Sequence, residues 1–129
     1  MEKDILVILG ASSNKERYSN RAVRMALEHQ LQVIPVSLKE EVIEGLKAYP
    51  DLPSVKKAFQ DREIDTLSVY LGKDKALAII EEIVALNPKR IILNPGADAK
   101  EVIDALEDKG LGNRIEQACT LVLLSTGQY

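Results

Sequence analysis

The sequence predicts an α/β fold: an open, mostly parallel sheet of about five strands with helices on both faces, three layers in all. Three observations carry that expectation. The run DILVIL, residues 4–9, is continuously apolar, as a strand buried on both faces requires. Segments with helical spacing alternate with such runs along the chain. The first strand, helix and strand fit within about 35 residues, the size of one βαβ unit.

After the first strand, residues 19–30 place Ala22, Val23, Ala26 and Leu27 on one helical face, with Ser19 positioned to cap the start. LQVIPVS, residues 31–37, is the second strand, and it should end near Pro35, which cannot donate to a ladder. DTLSVYL (65–71) reads as the third strand and KRIILN (89–94) as the fourth. Between them, residues 74–86 read as one helix with Leu77, Ile80, Ile83 and Val84 turned inward. A further helix over 98–109 opens with Asp98 followed by Glu101, the spacing of a capping box, and stops at Gly110. In 38–63, punctuated by Pro50 and Pro53, a short edge strand is expected near LKAYP and a helix over SVKKAFQD. A fifth strand should lie around Arg114 to Gln117, and TLVLLS after it reads equally as strand or short helix.

The 129 residues suit one domain spanning 1–129, with 46% hydrophobic and 29% charged residues, ordinary values for a globular chain that folds alone or as a homo-oligomer. A net charge of -3 argues against a broad nucleic-acid surface, which needs many clustered Lys and Arg. Cys119 is the one cysteine, so no internal disulfide is expected, and MEKDILVILG offers neither a signal peptide nor a membrane span. A cytoplasmic protein with a small-molecule partner, and neither nucleic acid nor membrane, is the expectation.

In such a sheet, ligands bind beyond the carboxyl ends of the strands, where strand order reverses. That selects residues 10–19, 37–41, 70–74 and 94–98. In the first of these, GASSNKERYS, Gly10 permits a sharp turn, the helix start supplies partial positive charge, and Lys15 and Arg17 add full charges. This is the chemistry of a phosphate-binding loop, although an ordinary βα connection also carries solvated charges. NAD fits poorly: the G-x-G-x-x-G spacing is missing, and Ser37 and Lys39 stand where an acid would take the ribose. A basic residue there suits a ribose phosphate, which coenzyme A and NADP both carry.

The run G-A-S-x-x-x-x-R-x-S-x-x-A-V, here Gly10, Ala11, Ser12, Arg17, Ser19, Ala22 and Val23, resembles the CoA-binding domain family, whose Rossmann-like domain also opens the alpha subunit of succinyl-CoA synthetase. VIPVS at 33–37, GLKAYPDL at 45–52 and NPGAD at 94–98 are similar to later segments of that family, and the ending through Tyr129 resembles its compact single-domain branch. The chain departs from many members at Lys15, at Ser37-Leu38 and at Tyr70-Leu71-Gly72.

The resemblance implies a Rossmann-like fold that binds CoA or an acyl-CoA without catalysis of its own. It puts the pyrophosphate on the first loop, at Gly10, Ala11, Ser12, Lys15, Arg17, Tyr18 and Ser19. The adenine side lies near Pro35, Val36, Ser37 and Lys39, and Tyr70, Asn94, Pro95 and Gly96 complete the set. Two other readings stay open: a small enzyme or ligase component using an acyl-CoA, and a nucleotide-binding redox or regulatory module. The residues favour neither. His29, the only histidine, falls at the far end of the first helix, no G-x-S-x-G elbow occurs, and one Cys and one distant His make no usual metal site. Cys119 follows the fifth strand and is read as a small buried hydrophobe, with a thiol near the ligand edge as the alternative.

Overall fold

The computed structural model describes residues 2–129. Its elements run β1 (Ile5–Leu9), α1 (Tyr18–Glu28), β2 (Gln32–Val36), β3 (Val42–Ile43), β4 (Leu46–Lys47), α2 (Leu52–Ala58), β5 (Thr66–Val69), α3 (Lys73–Leu77), α4 (Ile80–Leu86), β6 (Arg90–Leu93), α5 (Lys100–Asp108), β7 (Ile115–Gln117) and α6 (Thr120–Ser125). The five long-range strands form one parallel sheet in the order β2-β1-β5-β6-β7, and β3 and β4 form a separate hairpin. The predicted three-layer architecture is the observed one.

Every residue of β1 is buried, because neighbours pair on both edges and helices cover both faces. Its alternate side chains divide the molecule. Ile5, Val7 and Leu9 join Leu67, Val69, Ile91 and Leu93 in an apolar core under α2 to α5. Leu6 and Ile8 face α1, α6 and the hairpin through Ala22, Val23, Ala26, Ile43 and Leu124. On that second face β5 presents Thr66 and Ser68, both buried, so the layer beneath α6 is partly polar.

Pro35 sits in β2 opposite Ile8. Because β2 is an edge strand, the missing N–H costs no ladder bond, and the Pro35 carbonyl accepts the Tyr49 amide at 2.9 Å. Within LKAYP, where an edge strand is expected, Leu46–Lys47 forms β4 of the hairpin, and Tyr49 adds a single bridge to Val36 at the edge of the main sheet. The hairpin turns at Glu44 and Gly45, with φ of 50° and 76°, a left-handed pair that suits a two-residue connection.

Four expectations need correction. The helix expected over 74–86 is two, α3 and α4, broken at Ala78 and Ile79; Leu77 is 37% exposed instead of inward. Leu27 is likewise 38% exposed, near the end of α1. The cap of α1 is Arg17, in an extended conformation, and Ser19 lies buried inside the helix; a turn at Lys15 and Glu16, closed by the Arg17 amide on the Asn14 carbonyl at 3.0 Å, brings the chain into the helix two residues early. Ala99, not Asp98, precedes α5, with no side-chain cap, since the Asn94–Ala97 turn delays helical geometry to Lys100. In the segment expected to be a helix over SVKKAFQD, α2 begins earlier, capped by Asp51, whose carboxylate accepts the Ser54 amide at 2.9 Å. The tail TLVLLS resolves as helix α6.

Candidate functional site

Strand order reverses between β1 and β5: the chain leaves β1 toward β2 on one side and later returns to β5 on the other. The carboxyl ends of these two strands are therefore the switch point at which open α/β sheets bind ligands. Their loops meet directly. Tyr70 donates its amide to the Leu9 carbonyl at 2.9 Å, and Gly10 lies so close that a Cβ there would stand 2.8 Å from the Tyr70 carbonyl oxygen. Gly10 also has φ of 87°, so both space and backbone demand glycine.

The first loop is wired mainly to itself. The Gly10 and Ala11 amides both point at the Val36 carbonyl, at 3.2 and 3.0 Å. Ser12 Oγ accepts the Asn14 amide and Asn14 Oδ1 accepts that of Glu16, both at 3.0 Å. From α1, fully buried Asn20 donates to the Ser12 carbonyl at 2.9 Å, and Arg24 donates to Asn20 Oδ1 at 2.8 Å and to the Lys15 carbonyl at 3.1 Å. Asn20 and Arg24 are structural members of the site that sequence reasoning missed; their spacing of four along one helix face was the available signal.

At the start of α1 no side chain caps the helix and no acidic residue lies in the first turn. Lys15, Arg17 and Tyr18 are exposed, and among the described residues Lys15, Arg17 and Lys39 make no ion pair. The Arg21 guanidinium lies 5.5 Å above the Tyr18 ring. An uncapped helix start beside free cations is chemically an anion receptor.

The second loop brings an unexpected group. Ser37 Oγ accepts the amides of Lys39 and Glu40, each at 3.3 Å, and the Glu40 carboxylate accepts the Ser13 amide at 2.9 Å. Ser13, through its hydroxyl and its amide, holds the Glu40 carboxyl below the usual carboxylate range. It is therefore Glu40, beside the Lys39 singled out in the sequence, that touches the first loop.

Beyond β5 and β6, Asn94 is 1% exposed and fully committed. Its Nδ2 donates to Ser68 Oγ and to the Val69 carbonyl, both at 2.9 Å, and its Oδ1 accepts the Thr120 amide at 2.8 Å. Ser68 and Thr120 share a bond of 2.8 Å between their hydroxyls. The Asn94 side chain thus joins three elements inside the protein, whereas Pro95 and Gly96 are exposed above it. Pro35, Val36 and Ala11 are buried too, so these residues frame the edge while Ser12, Lys15, Arg17, Tyr18 and Lys39 line it. The Tyr70 hydroxyl is buried with no hydrogen-bond partner; burial pushes its phenol up to about 12, against a downward pull from Thr120 and Ser68. Cys119, half-buried, precedes α6 on this edge, and His29 lies exposed at the other, its Nδ1 2.9 Å from the Met25 carbonyl.

A concavity lies at the amino ends of the strands. It measures about 660 Å³ and is bordered by Lys56, Phe59, Arg62, Lys89 and Arg114. Its cations are tied down: Lys56 to the Ala85 carbonyl at 2.7 Å, Arg114 to Asn87 Oδ1 at 2.6 Å and the Pro88 carbonyl at 3.0 Å, Lys89 to Glu63 at 2.6 Å and Arg62 to Glu2 at 2.7 Å.

Residues 3–125 match the model of the CoA binding domain family. The chain belongs to that family. Among solved structures, it is similar to a crystal structure of an uncharacterized protein at 29% identity and a TM-score of 0.81, covering 100% of this chain and 99% of that one. A protein of Thermus thermophilus superposes with a TM-score of 0.80 at 23% identity, over 98% of this chain and 91% of the other. The dinucleotide-forming acetyl-coenzyme A synthetase 1 of Ca. Korarchaeum cryptofilum, in complex with phosphate and ADP, shares the fold at 18% identity and a TM-score of 0.70. That match covers 91% of this chain and 26% of the synthetase. Among the described residues, no helix is long and apolar enough to cross a membrane, and no group of three or more His, Cys, Asp or Glu is placed to hold a metal ion.

Proposed function

We propose that the protein binds coenzyme A or an acyl-CoA at the carboxyl edge of β1 and β5, as a binding module without turnover of its own. The observation that carries this reading is the uncapped start of α1 at the switch point, flanked by the free cations Lys15 and Arg17, in a member of the CoA-binding family.

The residues present fit such a ligand. The pyrophosphate lies over the start of α1, where Arg17 and Lys15 add charge to the helix dipole and Gly10 keeps the floor free of a side chain. Ser12, Tyr18 and Ser19 belong to the same loop and first helical turn. The adenosine end lies toward Ser37 and Lys39, with Lys39 near the ribose phosphate, and Tyr70, Pro95 and Gly96 border the route of the pantetheine arm. Calorimetric titration is expected to rank CoA above dephospho-CoA and both above NAD. NAD binding as tight as CoA refutes the reading. Incubation with acetyl-CoA and succinyl-CoA is expected to leave the Cys119 mass unchanged and to release no thiol; acylation of Cys119 assigns the protein to acyl transfer instead.

A further inference from the structure

We propose that Glu40 holds, in the free protein, the place an anion takes on the first loop, and thereby sets how strongly charged a ligand must be to enter. The inference rests on the reading of this edge as the CoA site and adds a specificity residue to it.

The Ser13 amide sits in mid-loop, and its partner comes from outside the loop: the Glu40 carboxylate at 2.9 Å. Of the other loop amides, those of Gly10, Ala11, Asn14, Glu16 and Arg17 are taken by backbone or loop side chains, so Ser13 is the one whose amide meets a carboxylate. A carboxylate on a backbone amide has the same chemistry as a phosphate oxygen there, a charge-assisted bond to an N–H. The Ser37 turn swings Glu40 inward and leaves Lys39 exposed. From the same segment Glu44 accepts the Asn20 side-chain amide at 3.1 Å, so a second negative charge borders the loop.

Neither Lys15 nor Arg17 pairs with Glu40, so its charge is not cancelled by a contact cation. A pyrophosphate approaching the loop meets that charge at close range, with little screening at contact distance. Entry requires the Glu40 side chain to rotate away. Ligands with several anionic groups and further anchors displace it, and singly charged ones do not.

The test compares wild type with E40A and E40Q, each titrated with inorganic pyrophosphate, dephospho-CoA and CoA by calorimetry and by following the Ser13 amide in nitrogen–proton correlation spectra. Melting curves confirm that the variants fold. Both variants are expected to bind pyrophosphate and dephospho-CoA about tenfold more tightly than wild type. The free E40A protein should show the Ser13 amide shifted upfield from wild type. Equal or weaker binding by E40A, or no response of Ser13 to any ligand in any of the three proteins, overturns the inference. If E40A gains affinity for pyrophosphate yet binds CoA no better than pyrophosphate, the role of Glu40 stands and the CoA reading falls.

Discussion

At the amino ends of the strands, Lys56, Arg62, Lys89 and Arg114 border a cleft, and each reaches a carbonyl or a carboxylate. At the carboxyl ends, Lys15, Arg17 and Lys39 are exposed without such ion pairs, beside a helix start that no side chain caps. The contrast separates shape from chemistry. At the amino ends, Lys56 and Arg114 reach carbonyls in and just after the last turn of α4, where they offset the negative end of the helix dipole. A cavity built this way is a by-product of structural pairing. The carboxyl edge keeps Lys15, Arg17 and Lys39 out of ion pairs, which leaves their charges available to an anion.

Gly10→Ala tests the more demanding half of the contrast and should have the largest effect. The new methyl would meet the Tyr70 carbonyl at 2.8 Å in a left-handed backbone, a loss of about 3 kcal/mol of stability in chemical denaturation, together with loss of CoA binding. A variant as stable as wild type would show that the two loops can part without cost.

A crossed pair of arginine variants comes next. Arg17→Ala should weaken CoA binding about tenfold and leave the melting temperature of the free protein unchanged. Arg114→Ala should do the reverse, lowering stability by about 1 kcal/mol through its lost bonds to Asn87 and Pro88 while sparing CoA affinity. The opposite pattern would move the binding site to the amino ends.

The smallest effect is a titration. With its phenol pushed up to about 12, Tyr70 keeps a proton in the folded state that the unfolded chain releases from about 10. Stability should therefore fall as pH rises between those values. Tyr129 is raised in the same direction by burial, so Tyr70→Phe should remove only part of the fall. An ultraviolet titration in which no tyrosine ionises late would contradict the burial of both hydroxyls.

The strands were legible because burial on both faces writes continuous apolar runs, as in Ile5–Leu9 and Arg90–Leu93. Helix ends were less so. Ser19 and Asp98 have the chemistry of caps, but the turns ahead of them decided where helical geometry starts. The break between α3 and α4 lies in ALAII, residues that favour an unbroken helix, and only the packing of Ile80 and Ile83 against the sheet marks it. The hairpin went unread, since its strands are only two residues each, Val42–Ile43 and Leu46–Lys47, too short to show an alternating pattern. In the site, the first loop's position followed from Gly10 and the topology rule, whereas the inward turn of Glu40 depends on one Ser37 hydroxyl and left no trace in spacing. Asn94 looked ligand-facing because it ends a strand; its burial follows from Thr120, 26 residues away.

That last bond has a bearing on how the chain is made. Helix α6 is clipped over the middle of the sheet by Thr120, which reaches Asn94 and, 52 residues back, Ser68. Until residues 120–124 have left the ribosome, the polar row of β5 and β6 has no roof, and Asn94 Oδ1 has no amide to accept. Because α6 follows all five strands of the sheet in chain order, its docking through Thr120 is what completes the second layer.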